Sequence, residues 1–337
     1  MNIVVLPASG QNFVCQLAIL QQLCDIDYKP NLTLGSSGGN LAAYLAAAAD
    51  WNSKHIERLS RELKSYYFAM PWSSVKMIAG AVGFFNGNAF NTGYGLHEFM
   101  KIYFTKESIT KYEIWTGIYN QDLQKFRLCC NRHKNDSLIN NHDIDYELTQ
   151  SMTPYFCNGD IDKITDCGLA SAAIPGVIKP VIIDSHHYSD GALYGASPLS
   201  VCQNIILKHI KSNNQPIHIT YINSKDLSQA HVKPTYNLFD TWLAAVNNLI
   251  KSQTLIDRLI AHELLFNNKD VNYTTFKCNY DNLIKNKEKR MECQLTLLEI
   301  YPTKESDIDI TNFTGEDVVR NLKDLSSLCQ CHFWWID

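Results

Sequence analysis

The chain has 337 residues and a formal net charge of −4, with 45% hydrophobic, 19% charged and 11% aromatic side chains. That length accommodates one large domain or two modest ones, and the charge balance gives no basic footprint for nucleic acid. The densest basic stretch, Lys285 to Arg290, is interrupted by Asn286 and Glu288 and reads as a solvated face. Eleven cysteines are too sparse for a disulfide scaffold at this length. With no signal-peptide pattern at Met1 to Pro7, reduced thiols and a cytoplasmic location are expected. Cys329-Gln330-Cys331-His332 is the tightest cluster, but no second ligand pair accompanies it, so no metal is expected. No apolar run reaches the eighteen or so residues of a membrane span. Met77 to Phe85 comes nearest and reads as a core segment or a lid over a pocket.

Ile3 to Leu6 is a short β-branched run stopped by Pro7 and Gly10, which predicts a buried strand and a tight loop. Phe13 to Leu23 carries helical spacing, Leu32 to Leu34 a second strand, and Ala-rich Leu41 to Asp50 a second helix. The order strand, helix, strand, helix points to a parallel sheet with crossover helices. Further strands are expected at Glu113 to Tyr119, Phe126 to Cys130, Val181 to Ile183 and Ile217 to Asn223, with a hairpin turn at Gln121 to Gln124. Asn131 to Asp145 reads as an exposed loop, Tyr236 to Phe266 as a long helix, and Asn267 to Glu292 as polar and mixed. An apolar run, Leu295 to Tyr301, precedes a last helix near Glu316 to Leu325 opened by Thr314. No linker divides the chain. The expected organisation is a core over 1–225 and a helical C-terminal extension over 226–337 packed on it.

Gly35-Ser36-Ser37-Gly38-Gly39 lies between a predicted strand and the Ala-rich helix. A nucleophile elbow needs small neighbours at a strained reversal and a helix whose first amides face developing negative charge. The alternative is a Gly/Ser turn that merely opens a helix. No Lys follows the glycines, and Pro7 to Asn12 lacks a dinucleotide fingerprint, so neither phosphate-binding reading fits.

A second segment narrows the choice. Ala170-Ser171-Ala172-Ala173-Ile174-Pro175, then Pro180, then Tyr188-Ser189-Asp190-Gly191-Ala192, resembles the patatin-like phospholipase family. There an Ala-Ser-x-Ala-x-Pro stretch precedes an Asp-Gly-Gly/Ala motif holding the catalytic Asp, and the nucleophile lies in an early Gly-x-Ser-x-Gly. The likeness runs from Ile3 to about Asn223, with fainter echoes at Gly83 to Asn86 and Thr116 to Cys130. It implies a three-layer α/β/α fold with a mostly parallel sheet and no metal or cofactor. It also implies a Ser37/Asp190 dyad acting on phospholipid, lysophospholipid or acylglycerol esters at a membrane or micelle surface, with Gly35, Gly39 and Gly191 supporting the motifs.

One loop departs from the family. Its oxyanion hole usually comes from Gly-Gly-Gly-x-Arg/Lys-Gly after the first strand, where this chain has Ala8-Ser9-Gly10-Gln11-Asn12-Phe13. Gly10, Gln11 and Gly38 are the expected amide donors, while the side chains of Asn12 and Phe13 are expected to crowd the loop. That degeneracy leaves open a patatin-like fold that binds lipid or protein without turnover. A conventional Ser-His-Asp esterase would instead use His209, His218, His231 or His262. His186 and His187 are expected in an exposed turn before Asp190.

Overall fold

The computed structural model describes residues 1–64, 93–138, 154–194, 199, 216–224, 248–249, 252, 254–260, 263, 271–304, 306–308, 313–326 and 329–336. β1 (Asn2–Leu6) is apolar on both faces. Val4 and Leu6 join one core while Ile3 and Val5 join another across the sheet. A strand buried on both sides is what a parallel sheet with helices on each face requires. Parallel neighbours flank it: β2 (Leu32–Ser36) on one side and β8 (Ile217–Ile222) on the other. β3 (Glu113–Asn120) continues the parallel order beyond β2, and β10 (Leu295–Pro302) continues it beyond β8. Towards the margins, β4 (Lys125–Cys130) and β11 (Cys329–Ile336) run antiparallel to their inner neighbours. β9 (Asn272–Cys278) closes one edge and β5 (Tyr155–Phe156) the other. β6 (Val181–Ile183) and β7 (His186–Asp190) form a hairpin attached to β3.

Helices α1 (Phe13–Asp25), α2 (Ser37–Ala48), α3 (Ser53–Arg61), α4 (Tyr94–Tyr103) and α6 (Ile161–Ala172) bury apolar stripes against the Val4/Leu6 face, with the short α5 (Lys106–Lys111) beside them. α7 (Tyr280–Glu292) and α8 (Gly315–Ser326) contribute Leu283, Val318 and Leu322 to the same core. On the opposite face Trp115, Tyr221, Leu295 and Trp334 pack with Ile260 from the helical residues 254–260. The protein is therefore α/β, with a mixed, mostly parallel central sheet flanked by helices.

Four expectations need correction. The region beyond 225 is not simply helical: β9, β10 and β11 come from it and lengthen the same sheet. β9 was hidden in the polar stretch because its exposed edge carries polar side chains along most of its length. Asn131 is no loop residue facing solvent. It is fully buried, donates to the Tyr112 carbonyl at 2.7 Å and accepts from the Ile114 amide at 2.9 Å. His186 and His187 lie on β7 rather than in a turn, and the turn is Asp184-Ser185, both at positive φ. Phe13 does not crowd the loop before it, since its ring is buried in the helical core. Trp72, Met77 to Phe85, Gly83 to Asn86, His209, His231, His262, 139–145 and most of Tyr236 to Phe266 lie outside the described residues. Among the described residues no helix is long and apolar enough to cross a membrane.

Thr314 caps α8 reciprocally with Asp317: the Asp317 amide donates to Thr314 Oγ1 at 3.3 Å and the Thr314 amide to Asp317 Oδ2 at 2.9 Å. Gly315 then lies so close to the end of α3 that a Cβ there would overlap the Arg61 carbonyl. Gly315→Ala is expected to lower stability by about 1–3 kcal/mol through overpacking, although Gly→Ala in an open helical position normally stabilises. Urea denaturation reads this directly, and an unchanged midpoint would mean that α8 does not dock on α3.

Candidate active site

Two strand ends meet on one edge of β3. β2 pairs with the first part of β3, and the last pair is Ser36 with Gly117. There β2 leaves the sheet and turns into α2. β7 arrives from the opposite direction along the same edge, and its last pair is Asp190 with Ile118. Since adjacent residues on a strand are about 3.3 Å apart, this register sets the residue after Ser36 against Asp190 without any intervening element.

Ser37 is the first residue of α2 and has φ +52°, an uncommon conformation for a side chain other than glycine and a mark of local strain. Close packing explains its small neighbours. A Cβ on Gly39 would overlap the Leu6 and Pro7 carbonyls. One on Gly35 would meet Asn40 Cα at 2.7 Å, and one on Gly38 would lie 2.5 Å from the Gly10 carbonyl oxygen. The elbow is thus pressed against the end of β1 and the loop after it. Behind it, the Thr116 hydroxyl donates to Asn40 Oδ1 at 2.7 Å and Tyr44 bonds the same hydroxyl at 3.0 Å, tying α2 to β3.

The first amide of α2 has an unusual partner. Ser36, at the N-cap, gives no side-chain cap, and its hydroxyl is buried without a partner. Instead Ser171, at the end of α6, accepts from the Ser37 N–H at 2.9 Å and donates to the Gly117 carbonyl at 2.9 Å. Two residues on, the Ala173 carbonyl accepts from the Asp190 amide at 3.0 Å. The sequence marked Ser171 and Ala173 as motif residues and gave no sign of these contacts, because both partners are distant in the chain.

Asp190 is completely buried, and Ser37 is only 3% exposed. Oδ1 of Asp190 accepts from the Ala192 amide at 2.9 Å. Oδ2 has no hydrogen-bond partner of normal geometry, although the Ser37 side chain is near enough to stabilise the ionised form. Burial outweighs both contributions and pushes the Asp190 carboxyl up to about 7. Gly191 lets the strand end approach so closely: a Cβ there would lie 2.9 Å from Gly117 C and 2.7 Å from the Phe126 ring.

Gly10 opens a short 3₁₀ turn, Gly10–Asn12, at φ +53°. Asn12 and Ser9 are largely buried, and Asn12 Oδ1 and Ser9 Oγ lack partners. The backbone of Gln11 belongs to this turn, beside Gly38 through Gly10.

His218 is the one histidine of the four considered that lies among the described residues. It pairs in register with Asn2, at the opposite end of the parallel strands from Ser37, roughly 16 Å along the strand direction from the level of Ser36. Burial, helped by Arg290 and the chain's amino terminus, depresses its imidazole to about 4. His186 and His187 face Asp122, the latter with its amide donating to Asp122 Oδ2 at 2.7 Å. His97 pairs with Asp166 at 2.9 Å. Among the described residues no group of three or more His, Cys, Asp or Glu could hold a metal ion. A surface cleft that includes Gln22, Cys278 and Lys323 contains neither Ser37 nor Asp190.

No curated protein matches the chain. The family model described as Patatin-like phospholipase matches residues 4–202, more than half of the chain and a span that contains both Ser37 and Asp190. On that match and the α/β fold beneath it, the protein belongs to the patatin-like phospholipase family.

Proposed function

We propose that this protein is a lipid acyl hydrolase that cleaves ester-linked fatty acids with Ser37 as nucleophile and Asp190 as base. The observation that carries the reading is the meeting of a strained serine and a buried carboxylate on one edge of β3. Membership of a family of lipid ester hydrolases supports the substrate class.

A serine hydroxyl is a poor nucleophile until a base removes its proton. As Ser37 Oγ bonds to the ester carbonyl carbon, Asp190 takes the hydroxyl proton and the carbonyl oxygen becomes an oxyanion. Collapse breaks the bond to the alcohol, and Asp190 returns the proton to the departing alkoxide, leaving an acyl-enzyme on Ser37. Water then attacks the acyl carbon while Asp190 takes its proton; collapse breaks the bond to Ser37 Oγ, Asp190 returns the proton to that oxygen, and the fatty acid is released. A carboxyl near 7 is well matched to this double role, being basic enough to accept the proton and acidic enough to return it. The oxyanion faces the first turn of α2, where the helix dipole favours negative charge. Gly10, Gln11 and Gly38 are the proposed amide donors, a role supported by the tight contact between Gly38 and Gly10. The described cysteines are free thiols, in keeping with a cytoplasmic protein that meets its substrate at a lipid surface.

A second reading keeps the fold without turnover, as a lipid- or protein-binding module. It rests on the loop after β1, which retains Gly10 and has Asn12 where the family usually carries a basic residue. The two readings separate in one assay. Wild type should label with a fluorophosphonate and hydrolyse phospholipid vesicles or short nitrophenyl esters, and Ser37→Ala and Asp190→Asn should each lose at least about a thousandfold. Absence of labelling and of hydrolysis in wild type would favour the binding module. Loss on changing a single histidine would favour a Ser-His-Asp enzyme.

Activity should rise with pH and reach half its maximum near 7, because the ionised form of Asp190 is the base. A histidine base would give a similar curve, so the profile counts only together with Asp190→Asn. Stability moves the other way. The folded carboxyl holds its proton up to about 7 whereas the unfolded one loses it near 3.8, so stability falls as pH rises between those values. Asp190→Asn should therefore melt above wild type at pH 8, by up to roughly 4 kcal/mol, with the gain gone near pH 4. Equal melting curves at pH 8 would mean that Asp190 is not desolvated.

Gly38→Ala tests the loop. Its methyl would force the Gly10 carbonyl and Ser9 hydroxyl away, so labelling should slow by about a hundredfold, as on losing one oxyanion donor. Wild-type labelling by Gly38→Ala would remove the Ser9–Gly10 backbone from the reaction.

A further inference from the structure

The last turn of α6 and the residue after it hold both halves of the site through buried polar contacts. Ser171 Oγ accepts the Ser37 amide and donates to the Gly117 carbonyl, each at 2.9 Å. Ala173 offers its carbonyl to the Asp190 amide at 3.0 Å. Gly117 is itself the β3 residue opposite Ser36, so the Ser171 hydroxyl ties the middle of β3 to the start of α2 where the chain leaves β2. Both hydrogen bonds of the Ser171 hydroxyl are buried, and Ser171 is fully enclosed.

The need for such a bridge follows from the local chain. The first amides of a helix have no intrahelical acceptor and are commonly capped by the residue before them. Ser36 stands at the N-cap, but its hydroxyl has no partner, and a capping hydroxyl there would reach the second or third amide of the helix rather than that of Ser37. The Ser37 backbone is strained at φ +52°, and strain persists only where surrounding contacts hold it. The acceptor therefore comes from another helix, and that helix also fixes Asp190.

We infer that Ser171 is a positioning residue: with the Ala173 carbonyl it clamps the Ser37 elbow and the Asp190 strand end at the separation that proton transfer needs. This rests on the dyad reading above and adds to it a residue that never contacts substrate. Loss of the clamp leaves both reacting side chains in place but lets the elbow relax. A misplacement of about 1 Å can cost on the order of a hundredfold in rate. Binding of the ester, which does not involve Ser171, should change little.

Ser189 supplies the control. It is also a buried serine, it precedes Asp190 directly, and its hydroxyl has no hydrogen-bond partner. The experiment compares wild type, Ser171→Ala and Ser189→Ala by fluorophosphonate labelling rate, by kcat and KM on a short nitrophenyl ester, and by hydrogen exchange of the peptide containing Ser37. The expected result for Ser171→Ala is labelling and kcat reduced by about 10- to 100-fold, KM within about twofold of wild type, and Ser37 amide exchange at least about tenfold faster. Ser189→Ala should stay within about twofold of wild type on every measure. If Ser171→Ala fails to fold, Ser171→Cys, of similar size but a weak acceptor, takes its place with the same slowing required. Wild-type labelling by the Ser171 variant, equal slowing by Ser189→Ala, or unchanged Ser37 exchange would each overturn the clamp. If wild type itself does not label, the dyad reading fails, and the exchange comparison alone decides whether Ser171 holds the elbow.

Discussion

One edge of β3 carries two strands end to end, and the site exists because they stop at neighbouring positions. Backbone pairing accounts for Ser36 against Gly117 and Asp190 against Ile118 with no side chain involved. Hydrogen-bonded register is strongly specified in a sheet buried on its faces, since a slip of one residue turns every side chain over. The relative placement of Ser37 and Asp190 is thus inherited from the sheet, with the loops after each strand end adding only short excursions. The glycines follow from the same constraint. Gly117 and Gly191 let a strand end, a neighbouring strand and the Phe126 ring share one small volume, which a Cβ on either glycine would invade.

Such closeness has an electrostatic consequence. A carboxylate placed this deep loses water on all sides, and a single amide from Ala192 does not replace it. The raised carboxyl and the strained serine are two costs that stability alone would not retain. In the proposed chemistry they act in the same direction, since a desolvated base binds a proton more readily and a strained elbow projects its hydroxyl. His218 shows the contrast. It is also partly buried, but beside a guanidinium and the amino terminus, so burial and charge together keep it neutral. It lies at the wrong end of the strands to serve Ser37.

The parts legible in the sequence were those written in local spacing. β1, β2, the two helices after them and the hairpin of β3 and β4 show as apolar runs, periodic stripes and turn residues, and the structure has each within a few residues. Ser37 and Asp190 were legible because close backbone approach demands glycine at fixed offsets around them. The contacts of Ser171 were not, because a hydroxyl that bridges residues 134 and 54 positions away leaves no local pattern. β9 and β11 were missed for a related reason. β9 is an edge strand exposed along most of its length, so its alternation carries no burial signal. β11 alternates a polar side chain, then an aromatic run, and makes sense only once β10 is known to lie beside it.

The sheet also bears on what the C-terminal region is for. The segment matching the family ends at residue 202, before β8 begins at Ile217. Yet β8 is the parallel partner of β1 on the side away from β2, and β10 pairs with β8 in turn. Without them, β1 would be an edge strand, its unpaired amides and carbonyls exposed next to the apolar run Ile3 to Leu6, a template for aggregation. β1 also leads directly into the Ser9–Gly10 turn that Gly38 packs against. The position of that turn therefore depends on strands supplied from the other end of the chain. The residues after 202 are in this sense part of the candidate site's foundation, although Ser37 and Asp190 both precede them.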